Sequence, residues 1–216
     1  MRTDIIEVSF DDPAPEIIER AAAYIRAGRV VAIPTDTLYV LAADPFNLHA
    51  VAAVFRAKGR ELHRSLPILV DSLAMAEDYA AQPVSARFYL LARRFWPGPL
   101  TIVAPASRLL PLKVTGNSGR LAVRQSGAGV PNRLIEELDM PLIATSANRS
   151  GSPTCRSGVE VLGEMDGRVD MILDAGAVEG AGATTIDITE PEWKIIREGR
   201  VPRTLLEESL SSPDAV

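Results

Sequence analysis

A chain of 216 residues with 47% hydrophobic content has enough apolar surface for one full core. Its formal net charge of −5 excludes a protein whose main work is coating nucleic acid, which requires a broad basic surface. Cys155 is the single cysteine, so no intramolecular disulfide can form. The amino terminus lacks the basic and apolar regions of a secretory signal, and no uninterrupted apolar stretch reaches membrane-spanning length. The expectation is therefore a cytoplasmic protein with no membrane partner. No linker-like run separates residues 10 to 200, so one domain over 1–216 is expected, with its core at about 15–202 and a frayed tail at 211–216.

In chain order, Pro13 to Ala27 carries Ile17, Ile18, Ala21, Tyr24 and Ile25 at helical spacing, and Gly28 is a natural stop. Val30 to Ile33 then reads as a buried strand. Asn47 is suited to cap a helix from Leu48 to Ala57, which delivers Lys58 to its C-terminal end. Further strands are expected at Leu66 to Val70, Leu100 to Ala104, Arg120 to Arg124, Leu142 to Thr145, Met171 to Leu173, Thr184 to Ile188 and Lys194 to Arg197. Helical patterns at Val84 to Phe95 and Pro131 to Leu138 separate some of them, the second opening on a proline in the favoured first turn. This alternation predicts an α/β fold, a single-domain twisted open mixed sheet flanked by helices. The last two strands have no helix between them and should pair antiparallel.

Two short clusters carry the chemistry. Lys58 and Arg60 stand two apart where a helix gives way to a glycine-containing loop, which could turn both cations into one cavity, as phosphate requires. The plainer alternative is a solvated helix end capped by Gly59. Ser146 and Asn148 follow the apolar run Pro141 to Thr145, at the exposed end of a buried strand, where open α/β sheets gather ligands. Pro34-Thr-Asp-Thr37 leaves the first strand and could be merely a turn. Trp96-Pro-Gly-Pro99 reads as a rigid turn with Trp96 over the core. His49 and His63 lack partners at metal-ligand spacing, so no metal held by side chains is expected. A Walker loop and a G-x-G-x-x-G after a strand are both absent.

Taken together, Pro34-Thr-Asp-Thr-Leu-Tyr39, Lys58-Gly-Arg60, Phe95-Trp-Pro-Gly-Pro-Leu-Thr101, Leu121-Ala-Val-Arg124, Ser146-Ala-Asn-Arg-Ser-Gly151 and Ile196-Arg-Glu-Gly199 resemble the YrdC-like threonylcarbamoyl-AMP synthases over about residues 15 to 202. The resemblance implies a concave cavity in which ATP, L-threonine and bicarbonate give threonylcarbamoyl-AMP and pyrophosphate, for modification of the tRNA adenosine beside the anticodon. It assigns Lys58, Arg60, Ser146 and Asn148 to catalysis and ATP binding, and Arg197 to ATP. Thr35, Arg124 and Thr184 fall to the threonine. Mg²⁺ would accompany ATP, the product would pass to a tRNA threonylcarbamoyl transferase, and direct tRNA binding would be weak or absent. Longer family members add a second domain, which is not expected here.

The chain departs from the family's pattern at Val40, where glycine is usual, at Gln125-Ser126 after Arg124, and at Thr184-Thr185, where a Ser-Thr pair is usual; Leu66 to Asp71 also lacks a common histidine. The competing class is an RNA-binding or ribosome-maturation accessory protein using Lys58, Arg60, Arg124 and Arg197 on a phosphate backbone. Acidic balance and 5% aromatic content weigh against it. A hydrogenase-maturation type of carbamoyl handler would need zinc-finger cysteines, and one cysteine excludes them.

Overall fold

The computed structural model describes residues 2–211, and the tail expected to fray lies almost wholly outside them. Ten strands form one sheet. In chain order the elements are β1 (Asp4–Glu7), α1 (Pro15–Arg26), β2 (Val31–Ile33), β3 (Val40–Ala43), α2 (Leu48–Lys58), β4 (Ile68–Val70), α3 (Leu73–Tyr79), α4 (Ala86–Phe95) and β5 (Leu100–Pro105). They continue with α5 (Leu112–Thr115), β6 (Arg120–Gln125), α6 (Gly129–Leu138), β7 (Leu142–Ser146), α7 (Gly158–Met165), β8 (Met171–Asp174), β9 (Thr184–Asp187), β10 (Lys194–Arg197) and α8 (Arg203–Leu210). Strand order is β1-β8-β2-β3-β7-β4-β6-β5-β9-β10. Parallel pairs (β1 with β8, β2 with β8, β4 with β6, β5 with β9) mix with antiparallel ones, including β9 with β10 as expected.

Local chemistry explains the boundaries. Pro15 opens α1, whose buried stripe is Ile18, Ala21, Ala22 and Ile25, and the chain leaves through Gly28 at a φ of +74°. The Asn47 side chain accepts from the His49 and Ala50 amides and starts α2; Gly59, at a φ of +59°, ends it. Ser85 caps α4 through the Phe88 amide, so that helix begins two residues later than the pattern predicted. Helix α6 begins at Gly129, which puts Pro131 third in the helix instead of first.

Alternation along the strands divides the core in two. Ala32, Leu41, Ala43, Ile68 and Val70 point to one face, which α2, α4 and α7 cover. Val31, Ile33, Val40, Ala42 and Leu69 point to the other, where α1 and α6 pack together over β2 and β4. Trp96 lies over the first core, edge-on to Phe88 with ring centroids 5.7 Å apart, and its indole N–H donates to the Leu100 carbonyl. That turn is structural, as read from the sequence.

Six elements escaped the sequence patterns: β1, β3, α3, α5, α7 and α8. In β3 every residue is buried, so no alternation marks it; β1 is an edge strand of four residues that pairs with β8.

Backbone crowding predicts opposite outcomes for two glycines. A Cβ on Gly199 would lie 2.2 Å from the Gly182 carbonyl oxygen, so Gly199→Ala must move the loop after β10. Gly163, inside α7, has nothing within 4 Å of that position. Gly199→Ala should cost about 1–3 kcal/mol, and Gly163→Ala should gain about 0.5–1 kcal/mol, read as denaturant midpoints. Equal shifts of the same sign would contradict the packing.

Candidate active site

Helices α1 and α6 cover their face of the sheet only in part. Over β5, β6, β9 and β10 that face stays open, and Thr101, Ala122, Arg124, Thr185 and Ile196 form the floor of a cavity of about 500 Å³. A polar compartment of about 490 Å³ adjoins it at the end of α2, lined by Lys58, Arg60, Glu61, Arg64, Ser146, Asn148 and Ser150. Arg60, Arg64 and Ser146 line both, so the two are one bipartite site.

In the polar compartment Lys58 is only 4% exposed. Its Nζ donates to the Ser146 carbonyl, to the Asn148 carbonyl at 2.8 Å and more loosely to the Asn148 Oδ1 at 3.3 Å, while the Ser150 amide donates to the Lys58 carbonyl. The α2 terminus and the loop after β7 are thereby locked together. Burial, with Arg60 adding to it, pulls the Lys58 amine down to about 8. Arg60 donates to the Thr145 hydroxyl at 3.3 Å and the Ser65 carbonyl at 3.0 Å; burial, then Arg64, lowers its pKa from the usual value. The solvated helix-end alternative therefore fails for Lys58, although Gly59 does cap the helix. The Asn148 amide donates to the Arg149 and Ser152 carbonyls, which aims the side chain along the loop.

The second compartment is built on Arg124. Its Nη1 donates to the Thr37 hydroxyl at 2.7 Å and its Nη2 to Asp36 Oδ1 at 3.0 Å; the same carboxylate oxygen accepts from the Ser126 hydroxyl and the Gly127 amide. Burial lowers the Arg124 pKa against the pull of Asp36, and Arg197 and Arg200 push it the same way. Arg197 donates to the Ala183 carbonyl, and Arg200 reaches across to the Asp36 carbonyl at 2.8 Å. Asp36 thus holds two cationic side chains, Arg124 by its carboxylate and Arg200 by its backbone carbonyl, with Arg197 near enough to Arg124 to disfavour its charge.

Six of the eight residues singled out from the sequence line this site: Lys58, Arg60, Ser146, Asn148, Arg124 and Arg197. Arg197, however, sits in the compartment of Arg124, apart from Lys58. Thr35 and Thr184 are fully buried and do not line it. The Thr35 hydroxyl closes its own turn, donating to the Leu38 carbonyl and accepting from the Thr37 and Leu38 amides. Thr184 clasps Val201, donating to its carbonyl at 2.7 Å and accepting from its amide at 3.0 Å. The hydroxyl-bearing residues that line the cavity are Thr37, Thr101, Thr145, Ser146 and Thr185, so the positions next to the two misassigned threonines, Thr37 and Thr185, are among them. Period-two alternation identifies Thr185, since it shares a face with neither Thr184 nor Ile186. Arg64, Asp36 and Arg200 were also missed; an arginine on an irregular loop carries no periodic signal.

Val40 lies opposite Ser146 in the β3–β7 ladder and lines the second compartment, next to a residue that borders both halves. Its neighbour Tyr39 is wholly buried, with its hydroxyl donating to the Gly176 carbonyl at 2.8 Å, and burial raises its pKa. Cys155 is buried, and desolvation raises its thiol to about 11, so it is a structural residue.

Among known proteins, the Sua5/YciO/YrdC family, described as "Telomere recombination", matches residues 23–199. The chain belongs to this family. A Pyrococcus abyssi protein named threonylcarbamoyl-AMP synthase is 38% identical over 192 residues, which are 88% of this chain and 56% of that protein. The chain thus spans little more than half of that relative's length. A crystal structure of Pyrococcus abyssi Sua5 complexed with L-threonine superposes with a TM-score of 0.92 at 36% identity, covering 97% of this chain and 61% of that one. A Mycobacterium tuberculosis protein named putative threonylcarbamoyl-AMP synthase is 34% identical, covering 94% of each chain.

Removing the Asp36 carboxylate would strand Arg124. Asp36→Ala should cost about 3–5 kcal/mol in urea unfolding, the range for a buried pair that loses one partner. A change below about 0.5 kcal/mol would show that solvent in the cavity, and not Asp36, carries the charge of Arg124.

Proposed function

We propose that this protein is a threonylcarbamoyl-AMP synthase that uses ATP, L-threonine and bicarbonate and releases pyrophosphate. The observation carrying this reading is the bipartite cavity. One half concentrates Lys58, Arg60 and Arg64 against a single carboxylate, Glu61, as a triphosphate requires; the other adds Arg124 and Arg197, the threonines Thr37, Thr101, Thr145 and Thr185, and apolar walls, as a small hydroxylated amino acid requires. The names of the Pyrococcus and Mycobacterium relatives, and the L-threonine of the Pyrococcus crystal structure, support the same assignment.

In this reading Lys58 and Arg60 hold the phosphates, with Ser146 and Asn148 as neutral groups beside them. The second compartment's Arg124 pairs with the amino acid's carboxylate, with Thr37 and Thr185 beside its hydroxyl, and Arg197 adds a second cation in the same compartment. The threonine amine adds to carbon dioxide and loses a proton to solvent to give a carbamate; starting from bicarbonate, the same C–N bond forms with release of water. A carbamate oxygen then attacks the α-phosphorus, the bond to the β-phosphate breaks, and pyrophosphate leaves with the bonding electrons. Negative charge accumulates on the phosphoryl oxygens and the leaving group, where fixed cations stabilise it without reorganising. No covalent bond to the protein forms. Among the described residues no group of three His, Cys, Asp or Glu could hold a metal ion. The lining suits Mg²⁺ carried by the triphosphate, with Glu61 the one carboxylate in that lining; the ion would neutralise phosphate charge there. Passage of the product to a tRNA threonylcarbamoyl transferase belongs to the same proposal. No helix among the described residues is long and apolar enough to cross a membrane.

Pyrophosphate release measured with each substrate omitted in turn tests the assignment. Turnover should require ATP, L-threonine and bicarbonate together; robust turnover without threonine, or none with all three, would overturn it.

Lys58→Ala and Arg60→Ala should each lower kcat about a hundredfold, or roughly 3 kcal/mol of transition-state stabilisation. Near wild-type rates in both variants, with the fold confirmed by circular dichroism, would remove them from the chemistry.

Selectivity should follow the lining. Serine keeps the hydroxyl and loses a methyl contact worth about 1–3 kcal/mol, whereas valine leaves buried polar groups unpaired. The order of kcat/KM should be threonine, serine, valine. Valine equalling serine would mean that Thr37 and Thr185 do not read the hydroxyl.

A further inference from the structure

The molecule has another cavity of similar size, about 550 Å³, outside the bipartite site. It is enclosed by the end of α1, by the outer face of α2 and by the turn that leads into β8. Arg29, Arg56 and Arg168 line it together with His49 and Asp170. None of the three arginines makes an ion pair among the described residues, and all three are exposed, in a chain whose net charge is −5. Arg93, Arg108 and Arg156 are likewise exposed and without an ion pair among the described residues, so what distinguishes these three is that they border one concavity. The single carboxylate there, Asp170, is already engaged, accepting from the Val30 amide at 3.0 Å.

The site is also shaped. His49, Ala53 and Arg56 recur at helical spacing on one stripe of α2, so the His49 and Arg56 backbones stand two turns apart, about 10 Å. Ala53 leaves the wall between them free of bulk. Arg29 packs over the Tyr24 ring, 4.8 Å from its centroid, which fixes its stem and leaves its N–H groups free. Arg168 gives one long contact, 3.4 Å, to the Ala57 carbonyl at the end of α2. Complementing helix C-termini would account for that one contact. It does not account for three cations converging on a recess.

We propose that this recess is a second, phosphate-binding site for a small oligophosphate, a free inorganic or nucleotide polyphosphate chain, separate from the bipartite cavity. Guanidinium groups are suited to bidentate contacts with phosphate oxygens, the two-turn length of the α2 wall matches a short phosphate chain, and the volume falls in the range of small-molecule sites. Helix α2 links the sites physically: Arg56 and Ala57 border the recess, and Lys58 is the buried cation of the cavity. The proposal does not depend on the synthase reading, because it concerns binding at residues that reading does not use.

Isothermal titration with inorganic tripolyphosphate tests it, with sulfate as the comparison ion. Wild type should bind two equivalents. The Arg29→Ala/Arg56→Ala/Arg168→Ala variant should keep one equivalent and an unchanged rate of pyrophosphate release, and Lys58→Ala/Arg60→Ala should keep the other equivalent. A single charge reversal, Arg56→Glu, at an exposed position that leaves the fold intact, should weaken the second equivalent at least tenfold. A stoichiometry that the triple variant leaves unchanged, or sulfate binding as tightly as tripolyphosphate, would overturn the proposal. A twelve-nucleotide uridylate RNA should not compete for the recess; RNA binding there more tightly than tripolyphosphate would also overturn it, in favour of a polymer.

Discussion

The buried ammonium of Lys58 is the interaction on which the site depends. A lysine at 4% exposure is tolerated only if its donors are met, and here two backbone carbonyls and an amide oxygen from the loop after β7 meet them. That loop is 88–90 residues away in sequence. The contact therefore couples three things: where α2 ends, how the chain leaves β7, and where a cation sits. Glycine at position 59 contributes by turning the backbone into the left-handed region, which ends the helix and lets Arg60 enter the same space. A phosphate placed there would meet cations already positioned, and would take over the Lys58 donor now spent loosely, at 3.3 Å, on the Asn148 Oδ1.

The second constraint is the incomplete cover of the sheet. One face is buried by helices along its length; the other is shielded by α1 and α6 only near β2 and β4. The strands left open are therefore free to carry short polar side chains on alternate positions, and they do, at Thr101, Arg124 and Thr185. Buried strands usually read as continuous apolar runs, so these polar residues on inner strands mark the uncovered face. Asp36 balances the charge of the buried Arg124, which Arg197 and Arg200 would otherwise disfavour.

How much of this could be read from the sequence follows from the kind of signal each part leaves. The cap at Asn47, the stop at Gly59 and the late antiparallel pair are written in local chemistry and appear where the pattern puts them. Lys58, Arg60, Ser146 and Asn148 were legible because two short motifs flank a helix end and a strand end. Thr35 and Thr184 misled because position near a motif does not say which way a hydroxyl points. Each instead satisfies a neighbouring backbone turn, and the residue that faces the cavity is the one two along or next along the chain. Strand β3 escaped because full burial erases alternation, and Asp36 escaped because its partner is 88 residues away.

The central claim is that Lys58 is a desolvated cation poised for a triphosphate, and its own titration tests that claim most directly. Nuclear magnetic resonance of the Lys58 side chain in the free protein should show proton loss near pH 8, below the ordinary lysine value of 10.5. The sign follows from burial: the charged form is disfavoured in the fold, so below about pH 8 the protonated amine opposes folding, and stability contributed by this group rises as pH climbs from about 8 to 10.5. Adding ATP should move the midpoint upward, because phosphate favours the charged form. A midpoint near the ordinary value in the free protein, or one that ATP leaves unmoved, would contradict the account.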